Sequence, residues 1–260
     1  MTDDRLSEPG LLNAVANIAR RAGALIMAVY ATDFAVRGKA DTSQVTEADE
    51  RAETLIVSAL LSLDASVAVV AEEAVAAGAN PAVSDWFWLV DPLDGTREFI
   101  NRNGEFTVNI ALVHRGRPVL GVVLAPALGR LFAGAAGQGA YVEEGQGGTR
   151  RVIRCRSVPE AGLTVVASRS HGDAAALDAF LAGRRVAALA SAGSSLKLCL
   201  VAAGEADLYP RLGRTMEWDI AAGHAVLAAA GGQVTALDGS PLRYGKPGFE
   251  NPHFVACAAA

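Results

Sequence analysis

The sequence predicts an α/β protein of two lobes, and three observations carry that expectation. Apolar residues recur at helical spacing from Leu11 to Val29 and again from Ala52 to Leu63. Between Phe106 and Val142, short β-branched runs are separated by Gly, Pro and Arg, the pattern of an antiparallel meander. From Leu163 onward, strand-like and helix-like segments alternate, which favours an α/β layer. The turn-rich stretch Gly145-Gln146-Gly147-Gly148-Thr149 sets the expected division into residues 1–150 and 151–260.

Taken in order, Leu11, Leu12, Val15, Ile18, Ala22, Ile26 and Val29 form one packing face of a first helix. A looser segment, Phe34 to Lys39, leads to Thr46, an N-cap residue for a second helix whose first turn holds Glu47 and Asp49. Acids there favour the positive end of the helix, which is sufficient reason for their presence. Ser66 to Ala71 reads as a strand ending in Glu72-Glu73, and Trp86 to Val90 as a buried strand. The meander follows as Thr107–Val113, Pro118–Leu124, Arg130–Ala133 and Ala140–Val142. In the second half, strands are expected at Leu163–Ala167, Val186–Ala190, Ala206–Tyr209 and Phe254–Cys257. Helices are expected at Asp173–Leu181, Ser194–Ala203 and Glu217–Ala230, the last two closed by Gly204 and by Gly231-Gly232.

The 260-residue chain is about half apolar and one-fifth charged, a globular composition able to bury a sizeable core. Its net charge of −5 and lack of a basic block argue against duplex nucleic acid as a partner. Three scattered cysteines without metal-ligand spacing read as reduced thiols of a cytoplasmic protein. The polar, acidic start predicts no signal peptide, and no apolar run predicts a transmembrane segment. Peripheral attachment to the inner membrane is left open.

The chemistry concentrates in Asp91-Pro92-Leu93-Asp94-Gly95-Thr96-Arg97-Glu98-Phe99, directly after the aromatic-rich strand. Two carboxylates and the Leu93 carbonyl, brought together by a stiff Pro-containing turn, offer the oxygens that a hard cation such as Mg²⁺ takes. Gly95 and Thr96 open a helix whose amides suit phosphate. The same residues also describe an ordinary surface turn, so residue types alone leave both readings open.

This stretch, with Ile100 and the continuation Gly104-Glu105-Phe106-Thr107-Val108-Asn109, resembles the signature of the inositol monophosphatase-like, metal-dependent, lithium-sensitive phosphatases. Within them it is most similar to the bacterial 3'(2'),5'-bisphosphate nucleotidase branch, over nearly the whole chain from Leu11 to Phe254. The family usually has Pro where this chain has Gln44. The resemblance implies a layered α-β-α-β-α sandwich, with an antiparallel sheet in the N-terminal lobe and a mostly parallel sheet in the C-terminal lobe. It also implies hydrolysis of the 3'-phosphate of adenosine 3',5'-bisphosphate, a by-product of sulfate assimilation, and of its sulfated precursor as a further candidate.

The resemblance implies two Mg²⁺ ions, with a third, weakly held one left open. Glu72, Asp91 and the Leu93 carbonyl would hold the first, and Asp91, Asp94 and Asp219 the second. Glu73 is a weaker supporting candidate. Asp49 would pair with Thr96 to position or deprotonate the attacking water, with Glu72 counted in the catalytic set. Asp94, Gly95, Thr96, His171, Ser194, Lys197, Arg211 and Asp219 would contact the nucleotide, and His171, Ser194, Lys197 and Arg211 would serve the phosphate that is not cleaved. Two readings compete: an inositol-1-phosphate or sugar monophosphatase on the same metal site, and a non-catalytic phospholigand-binding protein. The quaternary state is expected to be a monomer or homodimer.

Overall fold

The computed structural model describes residues 10–38, 44–145, 147–168 and 174–259. Helix α1 (Leu11–Tyr30) buries Val15, Ala19, Ala22 and Ile26, the face expected from its apolar spacing. Strands β1 (Val36–Gly38) and β2 (Gln44–Thr46) form a short antiparallel ribbon where the sequence suggests only a loose segment. Helix α2 (Glu47–Leu63) begins at Thr46, as its N-cap chemistry predicts. A seven-stranded sheet follows: β3 (Ala68–Ala71), β4 (Trp86–Asp94), β5 (Thr107–His114), β6 (Arg117–Ala125), β7 (Arg130–Ala135), β8 (Gly139–Glu144) and β9 (Arg150–Ile153), adjacent in that order. Only β3 and β4 pair in parallel. Short helices α3 (Glu72–Ala76) and α4 (Thr96–Ile100) interrupt it. Because β9 pairs with β8, this sheet runs through Ile153, past the expected division at 150.

The Asp91-Pro92-Leu93-Asp94 segment is a bulged strand and not the turn expected from its composition. Asp91 pairs with Asn109 and Asp94 with Thr107, so β4 spends one more residue than β5 across this interval. Pro92 is tolerated because the parallel ladder with β3 has ended at Val90 and a bulge needs no donor there. The extra residue resets side-chain alternation. Trp86, Trp88 and Val90 face the α1–α2 core and Phe87 and Leu89 the opposite one, yet Leu93 joins the first group. Asp91 and Asp94, which a regular ladder would point to opposite faces, therefore both reach one cavity.

The second half contributes β10 (Leu163–Ser168), α5 (Ala174–Leu181), β11 (Val186–Ala192), α6 (Leu196–Ala202), β12 (Leu208–Arg211), α7 (Glu217–Ala229), β13 (Gly232–Ala236) and β14 (Phe254–Ala258). The strand order is β11-β10-β12-β14-β13. The sheet is mixed, not mostly parallel as expected. β10 pairs in parallel with β11 and β12, while β14 runs antiparallel to both β12 and β13. The polar, Gly-led strand β13 carries no strong strand signal, and its pairing comes from β14.

The layers follow from the cores. One apolar cluster lies between α1, α2 and the first sheet, a second holds α6 and α7 between the two sheets, and a third packs α5 outside the second sheet. The result is an α-β-α-β-α sandwich. Helix α7 approaches the first sheet unusually closely: Gly121 and Gly134 are cross-strand partners, and a Cβ at Gly121 would lie 2.2 Å from the Ala222 carbonyl oxygen. That contact fixes the helix that carries Asp219. Among the described residues, no helix is long and apolar enough to cross a membrane.

Candidate metal and phosphate site

A cleft of about 760 Å³ opens where the strand ends of both sheets meet α3, α4, α6 and α7. Glu72 from the start of α3, Asp91 and Asp94 from the bulge, and Asp219 from the first turn of α7 all line it. Leu93, Gly95, Thr96, Ser194, Lys197 and Arg211 line it as well. Residues far apart in the chain thus line one cleft. His171 lies outside the described residues.

The acids perturb one another. Burial, then Glu72, Asp94 and Asp219, hold Asp91 well above the ordinary carboxylate range. Burial, then Asp94 and Glu72, do the same to Asp219. Burial pushes Asp94 up to about 6, against the pull of Lys197 and the Ser195 amide. Like charges buried together in one cleft are the arrangement that a divalent cation stabilises. The donors are all hard oxygens, which fits Mg²⁺. Among the described residues, no three His, Cys, Asp or Glu side chains are gathered closely enough to enclose an ion by themselves. They stand around the cleft, and a full shell requires the Leu93 carbonyl and side-chain rotation.

Asp49 serves two purposes. Its Oδ2 accepts from the Thr46 amide at 2.9 Å and the Thr46 hydroxyl at 2.6 Å, completing the cap of α2. Its Oδ1 faces Thr96, whose Oγ1 lies 3.4 Å from it and 3.4 Å from the Leu93 carbonyl oxygen. Burial raises the Asp49 carboxyl above its usual range despite the Thr46 bonds, making it a better proton acceptor.

Across the cleft, Ser194 adopts a left-handed φ of 46°, and its Oγ is buried without a partner among the described residues. Nε of Arg211 is likewise unpartnered. Lys197 is only 3 % exposed and donates to the Ala192 carbonyl oxygen at 3.2 Å and to that of Ser194. Burial lowers it to about 8, with Asp94 opposing that shift. Strained backbone and orphaned donors at one wall are consistent with an anionic ligand.

Three residues take roles here that the sequence does not announce. Glu53, on the same buried face of α2 as Asp49, accepts from the Glu73 and Ala74 amides at 2.7 and 2.8 Å. It thereby supplies the cap that α3 lacks and steadies Glu72. An acid in the apolar row Ala52, Ile56, Leu60 was the available signal. Asn109 and Ser195 meet across the two halves, a pairing that no local pattern announces. Glu73, the weaker candidate, does not line the cleft, and its amide belongs to the α3 cap.

The family model for the "Inositol monophosphatase family" matches residues 10–257. The 3'(2'),5'-bisphosphate nucleotidase CysQ of Escherichia coli (strain K12) is 47 % identical over 247 residues, covering 94 % of this chain and 98 % of that protein. The crystal structure of CysQ from Bacteroides thetaiotaomicron superposes with a TM-score of 0.82 at 38 % identity, covering 97 % of this chain and 98 % of the other. An inositol monophosphatase from Anabaena (Nostoc) sp. PCC 7120 gives 0.72 at 26 % identity, over 95 % and 89 % of the two chains. With a match that spans all but the chain ends and a cleft built from the expected acids, the chain belongs to the inositol monophosphatase family.

Proposed function

We propose that this chain is a Mg²⁺-dependent phosphatase that removes the 3'-phosphate of adenosine 3',5'-bisphosphate, giving adenosine monophosphate and phosphate. The observation that carries this reading is one cleft with two unlike walls, four acids facing Lys197, Arg211 and the orphaned Ser194 hydroxyl. A substrate with two phosphates has a use for both. The nucleotidase named among the relatives, at 47 % identity over nearly full length, supports the choice over an inositol phosphate. The sulfated precursor is the natural second substrate to test. The free thiols Cys155, Cys199 and Cys257 support a cytoplasmic setting.

Glu72, Asp91 and the Leu93 carbonyl would hold one Mg²⁺, and Asp91, Asp94 and Asp219 a second. Bound Mg²⁺ would neutralise phosphoryl charge and acidify the attacking water. Thr96, held between Asp49 and the Leu93 carbonyl, orients that water and passes its proton to Asp49 Oδ1. Lys197 and Arg211 hold the uncleaved phosphate, with Ser194 donating to it. The buried acid wall keeps the phosphoryl group from binding without a cation, because bare carboxylates repel it.

Phosphate release from adenosine 3',5'-bisphosphate and from inositol 1-phosphate, measured side by side with and without Mg²⁺, tests this reading. The nucleotide should be turned over faster, and only with Mg²⁺. Faster turnover of inositol 1-phosphate would overturn the substrate assignment. No turnover of either, with tight nucleotide binding, would favour a phospholigand-binding protein.

A further inference from the structure

Behind the acid wall lies a buried polar chain. Asn109 on β5 is fully buried and points the same way as Ala111 and Val113, toward α7. Ser195, at the start of α6, donates to Asn109 Oδ1 at 2.7 Å. Having spent its proton there, the Ser195 oxygen accepts from Thr107 Oγ1 at 3.0 Å. The direction of this chain fixes the Asn109 amide, so its NH₂ faces the other way. There it meets Asp94 Oδ2 and the Asp219 carbonyl oxygen, each at 3.4 Å. Its two hydrogens thus serve a side chain of the first sheet and the backbone of α7, while its oxygen is held by the segment carrying Ser194 and Lys197.

We propose that Asn109 is the positioning residue that locks Asp94 and the first turn of α7 into one frame and so sets how tightly the cleft holds Mg²⁺. This rests on the Mg²⁺ reading of the four acids. The argument is geometric. Asp94 and Asp219 belong to separate layers, and a shared shell needs them at a fixed separation. Asn109 reaches both elements, and it cannot flip without setting its carbonyl against two acceptors. Partners behind metal ligands ordinarily matter by about 10- to 100-fold in metal affinity.

Titration calorimetry of Mg²⁺ into the metal-free protein tests this with Asn109→Ala, Ser195→Ala and Asp91→Asn beside wild type. Asn109→Ala should weaken Mg²⁺ binding by about 10- to 100-fold. Ser195→Ala, which frees the amide but keeps it, should weaken binding less. In turnover assays both should raise the Mg²⁺ concentration for half-maximal rate more than they lower the rate at saturating Mg²⁺. A purely structural role would instead lower the active fraction and leave the Mg²⁺ midpoint alone. Wild-type Mg²⁺ affinity in Asn109→Ala, or in Ser195→Ala if the first does not fold, would overturn the proposal, provided Asp91→Asn has lost binding. If Asp91→Asn binds Mg²⁺ normally, the reading of the acids fails first and the proposal with it.

Discussion

Helices α2 and α7 each place an aspartate in the first turn, and the two are used differently. Asp49 is saturated: Thr46 occupies one oxygen twice and Thr96 approaches the other. Asp219 Oδ2 accepts from the Met216 amide at 2.8 Å, and no hydrogen bond among the described residues reaches its Oδ1. Both are buried and raised above the carboxylate range, but the charges acting on them differ. Asp94 and Glu72 are the like charges that raise Asp219, whereas for Asp49 Glu72 counts for less than burial and the Thr46 bonds. The same capping position therefore yields a held base in one helix and an under-bonded oxygen donor in the other. A cap and a catalytic role are not alternatives here.

The largest expected effect separates the two. Asp219→Asn keeps an acceptor for Met216 but removes a metal-binding charge, so turnover should fall about 10³-fold or more, roughly 4 kcal/mol. The metal-free melting temperature should meanwhile rise by about 2–4 °C, near 1 kcal/mol, as like-charge repulsion is relieved. Asp49→Ala should lower kcat by about 10²–10⁴-fold while leaving Mg²⁺ affinity near wild type. Its melting temperature should fall, because the Thr46 donors lose their partner. Calorimetry and thermal melts of the pair decide the matter. Equal loss of Mg²⁺ binding in both would erase the distinction.

A smaller effect contrasts Asp219 with a second group on its own helix. His224 is lowered to about 4 by burial and lies 2.9 Å from the Tyr244 hydroxyl. Its folded value lies below the unfolded 6.5, so its contribution is full above pH 6.5 and is lost as pH falls toward 4. The loss should be about 2 kcal/mol, less than the full shift implies because His224 is only half-buried as a residue. Asp219, raised, changes stability in the opposite sense, losing it as pH rises. Chemical denaturation of His224→Phe between pH 4 and 7 should show a flatter acid limb than wild type. The smallest effect concerns α3: Glu53→Gln should weaken Mg²⁺ binding about tenfold by loosening the cap behind Glu72. An unchanged affinity would show that α3 holds its position without that carboxylate.

Much of this was legible because local chemistry reported it. The N-cap at Thr46, the helical rows of α1 and α2 and the meander of β5–β8 follow from spacing. Asp91, Asp94 and Asp219 stood out through motif resemblance, and the fold brings them to one cleft. What stayed hidden depends on pairing across long separations. Strand β13 exists because β14 is beside it, and Asn109 matters because Ser195 arrives 86 residues later. Asp91-Pro92-Leu93-Asp94 departs from its composition for a specific reason: Pro and Asp are turn formers by propensity, but here an antiparallel neighbour and a missing parallel one turn them into an irregular strand.

That irregularity has a consequence for how the chemistry is encoded. Removing Pro92 or Leu93 would restore a perfect ladder with β5 and leave every acid in the sequence intact. Both carboxylates would still share a face, but the irregular backbone that brings the Leu93 carbonyl oxygen within 3.4 Å of Thr96 Oγ1 would be lost. At this point the chain stores its reactivity as an arithmetic of positions as much as in the kinds of side chain, and an enzyme with all the right letters could be silenced by a single lost codon.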